Sequence, residues 1–311
     1  MAYSHALTGA ESLYSRPVVR RIGVVDLKEV LARGIDDFIA MPSHAVFLCL
    51  IYPIVGLLLG WLTFGYGLIS LLYPIVAGFA LLGPFAAIGL YELSRQRERG
   101  LAVDLTKAFD FFHSPTFGAI AALGFLLLMI FLVWLAVAQA IYVANFGYAP
   151  VSSIREFAHR LFTTPEGWQL IIVGNGVGFL FALVVLTISV VSFPLLLDRN
   201  VGAVEAVLTS YRVVRMNPMT MAVWGLIVAG ALVLGSLPFL VGLAVVMPVL
   251  GHSTWHLYRK VVEPNLNPRQ EQPRPSKQHR RYAAQFPAAL FAGEDLVGPN
   301  DPHGAQDDKS P

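Results

Sequence analysis

Six long apolar stretches divide the chain, and polar segments separate them. Each stretch is long enough, or nearly so, to cross a hydrocarbon core of about 30 Å as a helix. The last apolar region, 219–258, is too long for one span even when tilted, and Pro238 in its middle fits the first turn of a new helix. One kinked helix would give five spans, whereas two short helices give six. We predict six spans, at about 45–63, 68–91, 117–144, 168–197, 219–237 and 238–258.

Positive charges fall almost entirely on one side of this predicted bundle. Of the 22 Lys and Arg residues, only Arg155 and Arg160 lie on the other side when six spans alternate. Lys and Arg accumulate on the cytoplasmic side of membrane proteins. The pattern therefore predicts a multi-pass protein of the bacterial inner membrane with both termini in the cytoplasm. It also favours six spans, because five would place the basic tail outside.

Amphipathic segments that end in proline precede three of the spans. Apolar residues recur with a helical period in 26–42 and 202–218, and a shorter version occupies 105–115. Asp26 is the predicted N-cap of the first segment. An internal threefold repeat would explain the pattern, although any cytoplasmic helix leading into a span has this appearance. The predicted stripes are Leu27, Val30, Leu31, Ile35 and Phe38 in the first segment, and Ala203, Ala206, Val207, Tyr211 and Val214 in the second.

These patterns predict an all-α, polytopic membrane protein with six transmembrane helices in three hairpins, each preceded by a cytoplasmic amphipathic helix. The membrane domain is predicted to cover 26–260, after an N-terminal cytoplasmic segment at 1–25. The tail, 261–311, is rich in proline and poor in branched apolar residues, and is predicted to be disordered. The composition agrees: 56% of residues are hydrophobic and 14% are charged, against about 25% charged in a typical soluble domain.

Polar chemistry is scarce inside the predicted spans. They contain no Asp, Glu, Lys or Arg, which argues against ion-coupled pumps and transporters. Asn175, Gln139 and Asn145 are candidates for polar packing between helices or for ligand contact, and packing is the favoured interpretation for Asn175. A transporter is expected to have a stripe of polar residues along its pore, and these residues are too few to form one. Transport of a small solute or lipid therefore stays an alternative interpretation.

His252 and His256 are the sharpest chemical feature of the sequence. Their i, i+4 spacing puts both imidazoles on one helix face, which suits a haem or metal site, and His44 and His113 fall at a similar depth. The alternative is that these histidines simply populate the membrane interface together with Trp and Tyr. There is no H-E-x-x-H arrangement, phosphate-binding loop or nucleophile elbow. We therefore expect no enzyme activity, no cofactor, no metal and no nucleic-acid partner.

Three parts of the chain together resemble a bacterial family of predicted integral membrane proteins of unknown function. They are the segments from Asp26 to Pro42, from Gly78 to Arg95 and from Pro248 to Tyr258. The resemblance would cover about 20–260 and implies a polytopic inner-membrane protein with no assigned reaction. Some members carry a label suggesting cytochrome c oxidase subunit I, but this chain has no histidine at mid-depth of a predicted span.

Three functions stay open from the sequence. The favoured one is a scaffold or accessory subunit of the cell envelope, which acts by binding a membrane-protein partner or a second copy of itself within the lipid bilayer. The second is transport of a small solute or lipid. The third is a haem- or metal-binding redox protein that uses His252 and His256.

Overall fold

The computed structural model is built from helices throughout the residues it describes, which are 17–42, 50, 54–58, 61, 71–104, 107–148, 153–238 and 240–264. In these ranges there is no strand, only one isolated antiparallel bridge between Val19 and Val262. Two 3₁₀ segments occupy Ala80–Leu82 and Lys107–His113. The α-helices are α1 (Asp26–Ala40), α2 (Leu72–Phe79), α3 (Gly83–Ala86), α4 (Ile88–Glu98), α5 (Phe117–Phe146), α6 (Ile154–Thr163), α7 (Pro165–Ser189), α8 (Ser192–Asp198), α9 (Ala203–Met216), α10 (Pro218–Ser236) and α11 (Leu243–Val261).

Four helical stretches in the described part are long and apolar enough to cross a membrane: Leu72–Glu98, Phe117–Phe146, Pro165–Asp198 and Pro218–Ser236. They coincide with the second to fifth predicted spans. The first predicted span, 45–63, lies mostly outside the described residues. The sixth coincides with most of α11, a 19-residue helix that ends in polar and charged residues.

Prolines lie close to breaks in two of these helical stretches, and another proline lies inside α11. Proline has no N–H to donate and its ring clashes with the preceding turn. Pro84 stands in the first turn of α3, directly after the 3₁₀ segment. Pro194 lies in α8, just after the helix is interrupted at 190–191. Pro248 lies inside α11. The breaks divide Leu72–Glu98 into α2, α3 and α4, and Pro165–Asp198 into α7 and α8.

The buried faces of the amphipathic helices α1 and α9 overlap the predicted stripes but do not coincide with them. The buried residues are Leu27, Val30, Gly34 and Asp37 in α1, and Ala206, Thr209, Ser210 and Val213 in α9. Ile35 and Tyr211, which were predicted in the stripes, are exposed. Asp26 is also not the N-cap: Val25 occupies that position, and the Asp26 carboxylate accepts a hydrogen bond from the Gly23 amide at 2.7 Å. The third segment contains a 3₁₀ helix at Lys107–His113.

Helix α6 is an element that the apolar pattern does not predict. It lies between α5 and α7, and the Ser153 hydroxyl caps it by accepting from the Glu156 amide at 3.2 Å. Arg160 stacks over the Phe146 ring, 4.7 Å from its centroid. The sequence signal is the Ser-x-x-Glu pattern of a capping box. Arg155 and Arg160, the two basic residues predicted on the opposite side of the membrane, both lie on this helix.

Candidate functional site

Four chain segments rich in positive charge meet at one end of the helical bundle. The N-terminal segment pairs with the end of α11, where the Arg20 amide donates to the Val261 carbonyl at 2.7 Å. The Asn217 side chain, at the start of α10, accepts from the Ile22 amide at 2.8 Å. Arg95, near the end of α4, donates to the Leu197 carbonyl of α8 at 2.6 Å. We call this region the polar end.

Asp37 is the centre of the polar end. It is only 4% exposed, and it lies on the face of α1 that packs against α11. Its carboxylate accepts hydrogen bonds from Ser94 at 2.6 Å and from His256 Nε2 at 2.8 Å. Arg97 pairs with its second oxygen. One buried carboxylate therefore joins three helices, α1, α4 and α11, and has a cation beside it.

His252 extends this network one step further into the protein. Its Nδ1 lies 2.7 Å from Ser94 Oγ. Because the single hydroxyl hydrogen of Ser94 is given to Asp37, Nδ1 must carry the hydrogen and donate it to Ser94. The other ring nitrogen, Nε2, is buried without a hydrogen-bond partner among the described residues. We refer to Asp37, Ser94, Arg97, His252 and His256 as the Asp37 network.

Burial and pairing act in opposite directions on the pKa of Asp37. Burial alone would raise that pKa, because it disfavours the charged carboxylate. The hydrogen bonds from His256, Ser94 and Arg97, together with the electrostatic effect of His256, outweigh burial and hold the pKa of Asp37 below its ordinary value. Asp37 is therefore an ionised acceptor at neutral pH.

A second ionic group surrounds the last turn of α11. Glu98 accepts from the Trp255 indole at 3.0 Å and from Arg259 at 2.9 Å. Tyr258 donates to Asp198 at 2.7 Å, so the end of α11 is bonded to both α4 and α8. The carboxylates of Glu98 and Asp198 thus connect the ends of α4, α8 and α11, which belong to three of the four positive segments.

A cleft of about 480 Å³ opens beside the Asp37 network. It lies between the N-terminal segment, α1 and the end of α11. Lys260 pairs there with Glu29 and, at 3.1 Å, with Asp26. The hydrogen bond to Glu29 is the main reason why the pKa of Lys260 is raised. The lining residues are Arg20, Arg21, Ile22, Asp26, Glu29, Val30, Arg33, Glu98, His256, Arg259, Lys260 and Pro264. We call this space the basic cleft.

The two histidines singled out in the sequence both belong to the Asp37 network. His256 uses Nε2 on Asp37, and His252 uses Nδ1 on Ser94. Within the described residues, no group of three or more His, Cys, Asp or Glu side chains is placed to hold a metal ion. His113 lies in the second 3₁₀ segment, and His44 lies outside the described residues.

The three polar candidates inside the spans lie elsewhere. Asn175 on α7 accepts a hydrogen bond from the Tyr73 hydroxyl of α2 at 2.7 Å, a polar contact between two spans. Asn145 donates to the Ile141 carbonyl of its own helix at 2.8 Å. The side-chain oxygen of Gln139 is buried without a hydrogen-bond partner in the described structure. Among the described residues, no hydrogen bond joins these side chains to the polar end.

Asp37 and Ser94 are the members of the site that sequence reasoning missed. Asp37 is not part of the apolar stripe predicted for α1, which includes its neighbour Phe38. The available signal was the spacing of Leu27, Val30, Gly34 and Asp37, which share one helix face. A carboxylate on that face is buried together with it and needs a partner.

Residues 72–198 match the model of a family described as "Predicted integral membrane protein (DUF2189)". The resemblance to a family of predicted integral membrane proteins is thus confirmed for that part of the chain. Neither the curated proteins nor the solved structures gave a match. The matched range begins at α2 and ends with α8, so it contains Ser94 and Arg97 but neither Asp37 nor the histidines of α11.

Proposed function

From the match of residues 72–198 to a family of predicted integral membrane proteins, we propose that this chain is a six-span protein that acts by binding. Its role is that of a scaffold or accessory subunit of the bacterial inner membrane, and it presents the polar end to the cytoplasm. The observation that carries the proposal is the meeting of four positive segments at one end of the bundle.

The path of the chain supports six spans. Helix α10 starts beside Asn217 at the polar end and is 19 residues long, which carries the chain about 28 Å away. The next helix, α11, ends at Val261, whose carbonyl accepts from the Arg20 amide at the same polar end. The chain must therefore return along α11. Gly56 lies so close to the Leu240 side chain, in the turn before α11, that a β-carbon on Gly56 would contact it. This closeness fits a first span that runs from the polar end toward the opposite end of the bundle.

The state of the polar side chains supports binding rather than catalysis. Ser94, the hydroxyl closest to a His–Asp pair, is fully buried and gives its hydrogen directly to Asp37. A nucleophilic serine would instead be within reach of a substrate and would give its proton to a histidine. The Asp37 network therefore has the arrangement of a structural junction that holds α1, α4 and α11 in register. The polar groups that remain available to a binding partner are those on the protein surface.

The lipid bilayer is the natural environment for the remaining surface. Large apolar side chains are exposed along the spans, including Ile172, Phe179, Leu180, Leu226 and Val233. Contiguous apolar surface of this kind needs lipid or another membrane helix. The positive-inside pattern supports a cytoplasmic location for the polar end.

Labelling of single cysteines in intact cells and in opened membranes tests this topology. In a chain carrying Cys49→Ala, we expect Lys28→Cys and Pro264→Cys to react with a membrane-impermeant maleimide only after the membranes are opened. Arg155→Cys and Glu166→Cys serve as the matched positions of the opposite side and should react in intact cells. All four positions are exposed in the structure. Reaction of Lys28→Cys and Pro264→Cys from opposite sides would contradict an even number of spans.

A further inference from the structure

We propose that the basic cleft is a binding site for a phosphate-bearing anion, either a lipid headgroup or a soluble phosphate compound. This inference rests on the proposed function, because the cleft exists only if the N-terminal segment and the end of α11 lie on the same side of the membrane. It assigns to the polar end the chemical class of its ligand.

The charges that line the cleft do not balance. Five of its lining residues are Lys or Arg, and three are Asp or Glu. His256 forms part of the wall and is bound to Asp37 through Nε2 only. An excess of cations around one open space lowers the energy of a multivalent anion placed there.

Most of the cations in the cleft already have partners, and Arg21 is the exception. Arg20 pairs with Glu263 at 3.2 Å, and Arg33 pairs with Glu29 at 2.7 Å. Arg259 and Lys260 hold the carboxylates described above. Arg21 is exposed and has no acidic side chain within ion-pair distance in the described part of the chain. Its guanidinium is therefore free to bind a ligand, and the paired cations around it add to the local positive field.

Size and position favour phosphate over a simple monovalent anion. A volume of about 480 Å³ is in the usual range for small-molecule sites and would hold a headgroup or a phosphorylated metabolite. The planar fork of a guanidinium matches two phosphate oxygens at once. The cleft also lies beside amphipathic helix α1 at the end of the bundle, where the phosphates of a bilayer would be within reach.

Binding measurements on the full-length protein test the site in two arms. In the soluble arm, the protein in nanodiscs of phosphatidylcholine is titrated with inorganic phosphate by calorimetry. In the lipid arm, native mass spectrometry compares retention of phosphatidylglycerol and phosphatidylcholine. In whichever arm detects binding, we expect Arg21→Ala to weaken it about tenfold, which corresponds to about 1.4 kcal/mol. Arg215→Ala is the matched control, since Arg215 is an exposed arginine of α9 outside the cleft.

Each outcome decides the proposal. Loss of phosphate binding in Arg21→Ala alone supports the site with a soluble ligand, and selective loss of phosphatidylglycerol supports it with a headgroup. Absence of binding in both arms overturns it, and so do equal effects of Arg21→Ala and Arg215→Ala, which would indicate only a diffuse positive surface. Because Arg21 is exposed, its substitution should leave folding intact. The cysteine labelling described above stays positive if only the cleft assignment is wrong.

Discussion

Replacement of Asp37 with alanine is expected to lower the apparent melting temperature of the detergent-purified protein by roughly 6–12 °C. The change leaves Arg97, His256 and Ser94 without their shared acceptor at a site that is largely closed to water. Removing one partner of a buried ion pair costs about 3–5 kcal/mol. We expect the lower end, about 3 kcal/mol, because part of the Arg97 side chain can reach water.

The neighbouring carboxylate provides the control for this prediction. Asp36 is exposed on a different face of the same helix, so Asp36→Ala should change the melting temperature little. The cost of Asp37→Ala should also shrink as the pH falls below about 4. The pKa of Asp37 is lowered in the folded protein, so its contribution is present above the ordinary carboxyl pKa and is lost on protonation. The groups that face Asp37 are the cation Arg97 and the titratable imidazole of His256. Equal melting temperatures for the two variants would contradict a central role for Asp37.

Replacement of Gly34 with valine is expected to separate α1 from α11. A β-carbon at Gly34 would lie 2.7 Å from the backbone nitrogen of Ser253 and 2.8 Å from its Cα. Backbone atoms cannot rotate away as a side chain can, so the two helices must move apart. Overpacking of this kind costs about 1–3 kcal/mol, and the Asp37 network would lose its geometry with it.

The matched control for Gly34→Val is Gly230→Val on α10. A β-carbon at Gly230 meets no atom within 4 Å, and both glycines lie in helix interiors, so the change in helix propensity is common to both variants. Thermal unfolding of the two variants isolates the contact with Ser253. If Gly34→Val were as stable as Gly230→Val, the close packing of α1 on α11 would be wrong.

The apolar pattern predicted the second to fifth spans well, because hydrocarbon requires long, uncharged helices and the sequence must supply them. Their ends were less predictable. The stretch from Leu72 continues through charged residues to Glu98, since Arg95 and Glu98 find partners on α8 and α11 that only the tertiary structure provides. The apolar pattern does not reveal helix α6, because its stretch is only ten residues long and amphipathic.

The candidate site was predicted only in part. His252 and His256 were recognised from their spacing, but their partners come from helices that are distant in sequence. Leu27 and Val30 of the stripe predicted for α1 are buried, and Leu31 and Phe38 are partly buried against the core. The register of α1 nevertheless leaves Ile35 exposed and buries Asp37, which the stripe did not include. The close approach at Gly34 decides that register, because only the face that carries Gly34 lets α1 come so near to α11. Periodicity alone does not contain this information.

Formation of one disulfide across the chain tests the central claim, that the N-terminal segment and the end of α11 pair at the polar end. Val19 and Val262 form the isolated antiparallel bridge, so their Cα atoms should lie within the separation that a disulfide tolerates. In native membranes of the Cys49→Ala protein, we expect Val19→Cys with Val262→Cys to cross-link under mild oxidation and to shift in electrophoretic mobility. A pair of Leu226→Cys, within a span, and Val262→Cys should not. Absence of the first cross-link, with both cysteines still reactive toward maleimide, would contradict the account.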